Sequence, residues 1–95
     1  MQVGRIVGTV VSSQKDPALV GMKLHVVEQT DLMGKPKGSH VIVVDSVGAG
    51  VGELVLYASG SSARQTEITR DKPVDAVVMS IVDSITVNNE LLFCK

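Results

Sequence analysis

The chain has 95 residues, enough for one domain spanning residues 1–95 but too few for a second hydrophobic core. Hydrophobic residues make up 44% of it and aromatic residues 2%, so a small core leaves apolar surface that association with other chains would cover. The net charge is −1 and the charges are scattered, which argues against the basic patch that nucleic acids and anionic membranes require.

The start of the chain and its single cysteine predict a soluble cytosolic protein. From Gln2 onward apolar and polar residues alternate, unlike the continuous apolar stretch of a signal peptide. No apolar run is long enough to cross a membrane. Cys94 is the one cysteine, so no internal disulfide can form, which fits a reducing compartment.

Strand patterns dominate the chain, since short valine-rich runs alternate with turn residues. Gly4 and Gly8 lie in the first run and predict a bulge or sharp coiling there. Asn88 and Asn89 tolerate left-handed dihedral angles and predict a tight C-terminal hairpin. The predicted strands are residues 3–13, 24–30, 40–45, 53–58, 74–83, 85–87 and 91–94.

The connections between these strands are short. Residues 14–21 form an irregular connection, and residues 31–38 are a predicted turn. Ser61 is a suitable N-cap for one or two turns of helix. No helix is long enough for a crossover between parallel strands, so the sequence predicts an all-β fold, either a small barrel or a sandwich.

Three glycines, Gly48, Gly50 and Gly52, crowd the segment between the third and fourth predicted strands. They are spaced G-x-G-x-G, a strand pattern follows them, and no Gly-Lys-Ser/Thr is present. Dinucleotide and phosphate loops instead place a helix N-terminus after the glycines. The segment therefore predicts backbone that can approach another chain closely, not a nucleotide site.

Other residue types that carry chemistry form no catalytic or metal-binding pattern. "GSSAR" lacks the final glycine of a serine-nucleophile motif, and the two histidines, His25 and His40, lie on strands without an evident partner. The carboxylates are dispersed, and Asp45 and Asp83 each end a strand, where an acidic residue commonly accepts backbone N–H bonds. The sequence predicts no enzyme, no cofactor and no bound metal.

Three ordered motifs give the chain a recognisable family pattern. They are "GTVVSSQKDPALVGMKLHVV", "VDSVGAGVGELVL" followed by "GSSAR", and "VDAVVMSIVDSI". Together they resemble the small vertex proteins of bacterial microcompartment shells, the family of the ethanolamine-utilisation N, propanediol-utilisation N and carboxysome L proteins. The resemblance covers nearly the whole chain.

The resemblance implies a small five-stranded OB-like β-barrel with one short helix and a C-terminal hairpin, assembled as a cyclic homopentamer. Flat sheets of six-fold tiles cannot close without points of five-fold symmetry, which a ring of five subunits supplies. The implied function is that of a structural protein at the vertices of a polyhedral shell, within the cytoplasm. The implied partners are hexameric and pseudohexameric shell proteins, with encapsulated enzymes as further candidates.

The resemblance also suggests residue roles. It places Gly48, Ala49, Gly50 and Gly52 at or near the subunit contact around the axis. Glu53 is expected to accept hydrogen bonds from the neighbouring chain or from Arg64. Further candidates for polar contacts between subunits are Ser61, Ser62 and Arg64, for which local capping or a solvated surface is the alternative.

One position departs from the family pattern, and one alternative function stays open. His25 stands where the family usually carries an aliphatic residue, which predicts that this strand face is more exposed. The alternative is a small OB-like module that binds a ligand or nucleic acid, which requires exposed stacking aromatics or a polar pocket. Tyr57 and Phe93 are the two aromatic residues available for stacking.

Overall fold

A computed structural model describes residues 1–13, 16–60 and 74–95. Within them the chain forms seven β-strands and a one-turn 3₁₀ helix at Pro17–Leu19. The strands are β1 (Gln2–Val10), β2 (Leu24–Thr30), β3 (Pro36–Asp45), β4 (Leu54–Ser59), β5 (Ala76–Ile81), β6 (Ser84–Val87) and β7 (Glu90–Cys94). The helix predicted to begin at Ser61 lies outside the described residues.

Five of the strands close into a barrel in the order β1-β2-β3-β5-β4, with β4 pairing back to β1. All the pairs are antiparallel except β3 and β5, which run parallel. The closed five-stranded barrel confirms the predicted fold class. Strands β6 and β7 form a separate two-stranded sheet, the predicted C-terminal hairpin.

The hairpin turn follows the prediction from its two asparagines. Asn88 and Asn89 both have positive φ, 51° and 64°, as a two-residue turn between twisted antiparallel strands requires. Asparagine is one of the residues that adopts this left-handed conformation at low cost. The turn therefore forms from local chemistry alone.

The turn before β3 is shorter than predicted. The Asp31 carboxylate accepts hydrogen bonds from the Met33 and Lys35 backbone N–H groups, at 2.8 and 2.9 Å. The same side chain closes the chain reversal within five residues, so β3 begins at Pro36, inside the predicted turn. At the other end of the fold, β1 stops at Val10, three residues earlier than predicted.

The core has two parts because strand residues alternate between faces. The interior of the barrel is filled by the larger cluster, and the opposite face of β3, β4 and β5 carries the smaller one. The interior cluster comprises Ile6, Val27, Val43, Ala49, Val55, Tyr57, Ala76 and Val78. The outer cluster comprises Val44, Ala58, Val74 and Val77.

The two glycines of β1 serve different purposes. The register of β1 against β2 shifts between Ile6 and Gly8, which places a bulge at Val7 and confirms the prediction of a bulge near Gly8. Gly4 marks a close approach instead. A Cβ at Gly4 would overlap Val27 Cγ1 and would lie 2.9 Å from the Glu28 carbonyl oxygen.

We expect Gly4→Ala to lower the free energy of unfolding by about 2 kcal/mol, because the added methyl group overpacks a fully buried site. Gly8→Ala is the matched control, since its Cβ would meet nothing closer than Val26 Cβ at 4.0 Å. Urea denaturation of both variants at one protein concentration makes the comparison. Equal stability of the two variants would contradict the close-approach account of Gly4.

Candidate functional site

The candidate site is the connection between β3 and β4, residues 46–53, which we call the glycine loop. Asp45, the last residue of β3, anchors its first half. One carboxylate oxygen, Oδ1, accepts hydrogen bonds from the backbone N–H groups of Val47, Gly48 and Ala49, at 2.9, 2.9 and 3.3 Å. The prediction that Asp45 accepts backbone bonds at the strand end is confirmed.

Glu53 anchors the second half of the glycine loop. Its Oε1 accepts the Gly50 N–H at 2.7 Å, and its Oε2 accepts a hydrogen bond from Lys95 Nζ at 2.9 Å. The expected partner of Glu53 is a neighbouring chain or Arg64. Within the described residues the side-chain partner is Lys95, at the end of β7, and Arg64 lies outside them.

Strand β1 holds the same half of the loop from the side. The Gly52 N–H donates to the Ile6 carbonyl oxygen at 2.8 Å, and the Ile6 N–H donates to the Glu53 carbonyl oxygen at 3.0 Å. Arg5 Nη1 donates to the Gly52 carbonyl oxygen at 2.9 Å. The loop is therefore tied to the barrel at both ends and along one edge.

These contacts decide what the loop can bind. Four consecutive backbone N–H groups, from Val47 to Gly50, already donate to carboxylates of the same chain. A phosphate loop needs such donors free and pointing outward, beside a helix N-terminus. The glycine loop instead offers a fixed backbone without a cradle for an anion.

The glycines differ in how they serve this conformation. Gly48 and Gly52 have φ of 77° and 95°, a region that other residues rarely adopt, and both are exposed. Gly50 is half-buried and has no positive φ. Ala49 is 1% exposed and belongs to the interior cluster, so its methyl group packs within its own barrel.

Three predicted site residues, Ser61, Ser62 and Arg64, lie outside the described residues. Two residues that the sequence analysis passed over lie within the glycine loop. Val47 and Val51 are 41% and 63% exposed, which is unusual for valine beside two buried strands. The sequence signal for their exposure is the alternation of valine with glycine in "VGAGVG". The neighbouring glycines have no side chains that could cover the valines.

His25 was predicted on an exposed strand face, and this prediction is wrong. The imidazole is 1% exposed and faces the barrel interior on the same side of β2 as Val27. Its Nε2 lies 3.0 Å from Asp45 Oδ2. A buried polar ring is tolerated there because the strand-end carboxylate on neighbouring β3 provides its partner.

The charge state of Asp45 follows from its surroundings. Burial favours the neutral acid and is the largest influence, but hydrogen bonds from Val47, His25, Ala49 and Gly48 together outweigh it. The pKa of Asp45 is consequently below its ordinary value of 3.8. The carboxylate is therefore ionised in the folded barrel near neutral pH.

The pKa of Glu53 is also lowered, first by the hydrogen bond from Lys95 and then by the Gly50 N–H. We expect Lys95→Met to raise the Glu53 pKa toward its ordinary value of 4.5, since the larger of these two influences disappears. Carbon-13 NMR titration of the Glu53 carboxyl carbon measures this change. Lys23→Met, which removes an exposed lysine with no ion pair to Glu53, should leave the Glu53 pKa unchanged.

The requirements of the alternative functions find little support in the described residues. Tyr57 is 1% exposed and so offers no free stacking face, and the Arg5 guanidinium lies over one face of the Phe93 ring, 5.9 Å from its centre. Across residues 1–13, 16–60 and 74–95, no three His, Cys, Asp or Glu side chains converge as a metal site would require. None of the helices in these ranges is long and apolar enough to cross a membrane.

Comparison with known proteins gives a consistent result. The sequence profile of the family described as ethanolamine utilisation protein EutN/carboxysome matches residues 1–83. The carboxysome shell vertex protein CcmL of Gloeobacter violaceus is 46% identical over 95 residues, which are 100% of this chain and 95% of that protein. The structure of CcmL from Nostoc sp. PCC 7120 superposes with a TM-score of 0.96 at 44% identity, covering 100% of both chains.

A third relative has a known assembly. The GrpN pentameric microcompartment shell protein from Rhodospirillum rubrum superposes with a TM-score of 0.82 at 45% identity, over 92% of this chain and 100% of that one. These matches confirm the resemblance drawn from the three sequence motifs. The chain belongs to the family of the ethanolamine utilisation protein EutN and the carboxysome protein CcmL.

Proposed function

We propose that this chain is a structural shell protein of a bacterial microcompartment, acting as a homopentamer at the five-fold vertices of the shell. The whole of residues 1–95 serves as one vertex domain, within a shell that lies in the cytoplasm. The observation that carries the proposal is the glycine loop. Its N–H donors from Val47 to Gly50 are satisfied internally, while Val47 and Val51 point outward.

A loop built this way suits assembly better than ligand binding. Its conformation is fixed before a neighbour arrives, so little conformational entropy is lost when the contact forms. Val47 and Val51 supply apolar area. A Cβ built at Gly48 or Gly52 would have no atom within 4 Å, so these glycines leave room for another backbone. In a ring each subunit would present this loop to the next.

The rest of the barrel surface also favours association. Large hydrophobic side chains outside the loop are also exposed, and they supply apolar area for contacts with other chains. Besides Val47 and Val51 they include Met1, Val7, Val11, Val20, Leu32, Met33, Ile42, Val87 and Leu91. Subunit and shell contacts would cover part of this area, which one small core could not.

The outer partners follow from the geometry of a closed shell. In a shell whose flat facets are made of six-fold units, each five-fold unit at a vertex is bordered by six-fold units, so hexameric and pseudohexameric shell proteins of the same compartment are the proposed neighbours. Encapsulated enzymes are a further proposed contact at the inner face. Cryo-electron microscopy of shells assembled from this chain and a hexameric shell protein tests the placement: pentameric density at the vertices supports it, and shells that close without the chain contradict it.

Native mass spectrometry of the purified protein tests the assembly itself. We expect a particle of five times the 10.0 kDa monomer mass. A stable monomer at micromolar concentration would contradict the proposal and would bring forward the alternative, a small OB-like module that binds a ligand or nucleic acid.

A further inference from the structure

His25 and Asp45 form a buried pair directly beneath the glycine loop. The side chains are 1% and 2% exposed, and His25 Nε2 lies 3.0 Å from Asp45 Oδ2. His25 pairs with Val43 across β2 and β3, and Asp45 lies two residues beyond Val43 on the same face of β3. The contact therefore links the barrel wall to the first residue before the loop.

The hydrogen-bond network assigns the proton of the imidazole. Asp45 is the partner of Nε2 and is itself an acceptor, so Nε2 carries the hydrogen. The other ring nitrogen, Nδ1, is buried and makes no hydrogen bond within the described part of the chain. A hydrogen on Nδ1 would be a buried donor without an acceptor, whereas a lone pair there costs less. The assigned form is the neutral Nε2–H tautomer.

The two oxygens of Asp45 thus have separate partners. Oδ2 accepts from His25, and Oδ1 accepts from the N–H groups of Val47, Gly48 and Ala49. A carboxylate bound at one oxygen alone can rotate about its last side-chain bond. The bond to His25 fixes that rotation, and the fixed plane aims Oδ1 at the three loop donors.

We infer that His25 is a positioning residue for the subunit contact: through Asp45 it holds residues 47–49 of the glycine loop in the conformation that a neighbouring subunit meets. This inference rests on the proposed function. It assigns part of the control of the assembly surface to a side chain buried inside the barrel.

The experiment compares two variants of the full-length chain. His25→Leu fills the site but removes the donor, and His25→Gln keeps a side-chain N–H at a similar reach. Amide hydrogen exchange of Val47, Gly48 and Ala49, measured by NMR, is the first readout. We expect at least ten-fold faster exchange at these amides in His25→Leu and substantial rescue in His25→Gln. Unchanged exchange in His25→Leu would overturn the inference.

A double-mutant cycle separates positioning from simple packing. If His25 acts through Asp45, then His25→Leu adds little further exchange in an Asp45→Asn background. Additive effects would mean that His25 merely fills space, and they would overturn the inference. The exchange rate of Val27, two residues from His25 on β2, serves as the internal control for general loosening of the barrel.

The tautomer has a spectroscopic signature. In histidine-labelled protein at neutral pH, we expect the two ring nitrogens of His25 to show the well-separated nitrogen-15 shifts of a neutral ring with Nε2 protonated. The nitrogen-15 shifts of the exposed His40 ring, measured in the same sample, provide the reference for those of His25. Two similar shifts, as in an imidazolium, would overturn the assignment.

Assembly is read separately, so that the inference and the proposed function can fail independently. A monomeric wild type would refute the proposed function, whatever the exchange data show. With a pentameric wild type, we expect the dissociation concentration of His25→Leu to rise about ten-fold and that of His25→Gln to rise less. Faster loop exchange without any change in assembly would overturn the claim that this part of the loop meets a neighbour.

Discussion

Gly50→Leu should convert the pentamer to smaller species while leaving each barrel folded. A Cβ at Gly50 would lie 3.5 Å from Glu53 Oε1, an ordinary van der Waals distance, and Gly50 has no positive φ. The chain itself therefore accommodates a Cβ atom at this position. If the neighbouring backbone approaches here, the leucine must displace it.

The expected effect is large because every contact in the ring carries the same defect. Forcing a bulky side chain into a packed surface costs about 1–3 kcal/mol at each contact. Each 1.4 kcal/mol corresponds to about a ten-fold weaker association. We expect native mass spectrometry to show the pentamer lost at a protein concentration at which the wild type is fully assembled.

The choice of glycine makes this a clean test of close approach. Gly48→Leu or Gly52→Leu would first strain the backbone of the chain, since both residues have positive φ. Gly50→Ala is the graded control and should weaken assembly less than leucine does. Circular dichroism at the same concentration checks that the barrel persists. A Gly50→Leu protein that stays pentameric would show that no neighbour lies close to this residue.

The contacts that sequence analysis could anticipate are the local ones. The hydrogen bond from the Val47 N–H to Asp45 and the Asn88-Asn89 turn each join residues at most a few positions apart. Residue type and position along the strand therefore suffice to predict them. Strand periodicity likewise predicted the five strands that form the barrel. The early start of β3 at Pro36 was not predicted, because proline and glycine indicate a turn more strongly than they indicate an edge strand.

The contacts that escaped prediction join residues far apart in the chain. His25 is 20 residues from Asp45, and Glu53 is 42 residues from Lys95. Nothing in either local sequence specifies the partner, because barrel closure brings the two residues together. The prediction that His25 is exposed failed for this reason. An isolated histidine on a strand suggests exposure, and the carboxylate that makes its burial tolerable belongs to the next strand.

The glycine loop shows both limits in one segment. Its glycine motif is evident in the sequence, and the prediction that its backbone approaches another chain stays a prediction. Val47 and Val51 are exposed because Asp45 and Glu53 accept hydrogen bonds from the loop N–H groups and so set the direction of its side chains. The sequence therefore predicted the loop as a candidate site but not which of its side chains are exposed.

Replacement of Asp45 should cause a large loss of stability. Asp45→Ala leaves three loop N–H groups and the His25 N–H without their acceptor, beneath a loop that is tied to the barrel. Removal of one member of a buried charged network costs about 3 kcal/mol or more. Asp45→Asn should cost less, because the asparagine carbonyl oxygen can still accept hydrogen bonds from the loop. The asparagine amide group then faces His25 in place of the second carboxylate oxygen.

The exposed Asp83 supplies the matched control for this comparison. Its carboxylate also follows a strand, at the end of β5, so Asp83→Asn makes the same chemical change without removing a buried acceptor. Urea denaturation of the variants at one fixed protein concentration ranks their free energies of unfolding, since the stability of an oligomer depends on concentration. Similar losses in Asp45→Asn and Asp83→Asn would contradict the anchoring role of Asp45.

The pH dependence of stability gives an independent check on the same carboxylate. The folded-state pKa of Asp45 is lowered from 3.8, so the unfolded chain binds this proton first as the solution is acidified. The stability that Asp45 contributes is fully present above about pH 5. It is lost as the pH falls through 3.8 toward the lower folded-state pKa.

We therefore expect the wild type to lose stability more steeply between pH 5 and pH 3 than Asp45→Asn does, with about one proton fewer taken up on unfolding in the variant. Glu53 and Asp31 have lowered pKa values as well and contribute a slope of the same sign in both proteins. The difference between the two curves isolates Asp45. Parallel curves would mean that the Asp45 carboxylate is not held ionised by the loop, and the anchor at the centre of the proposed contact would have to be placed elsewhere.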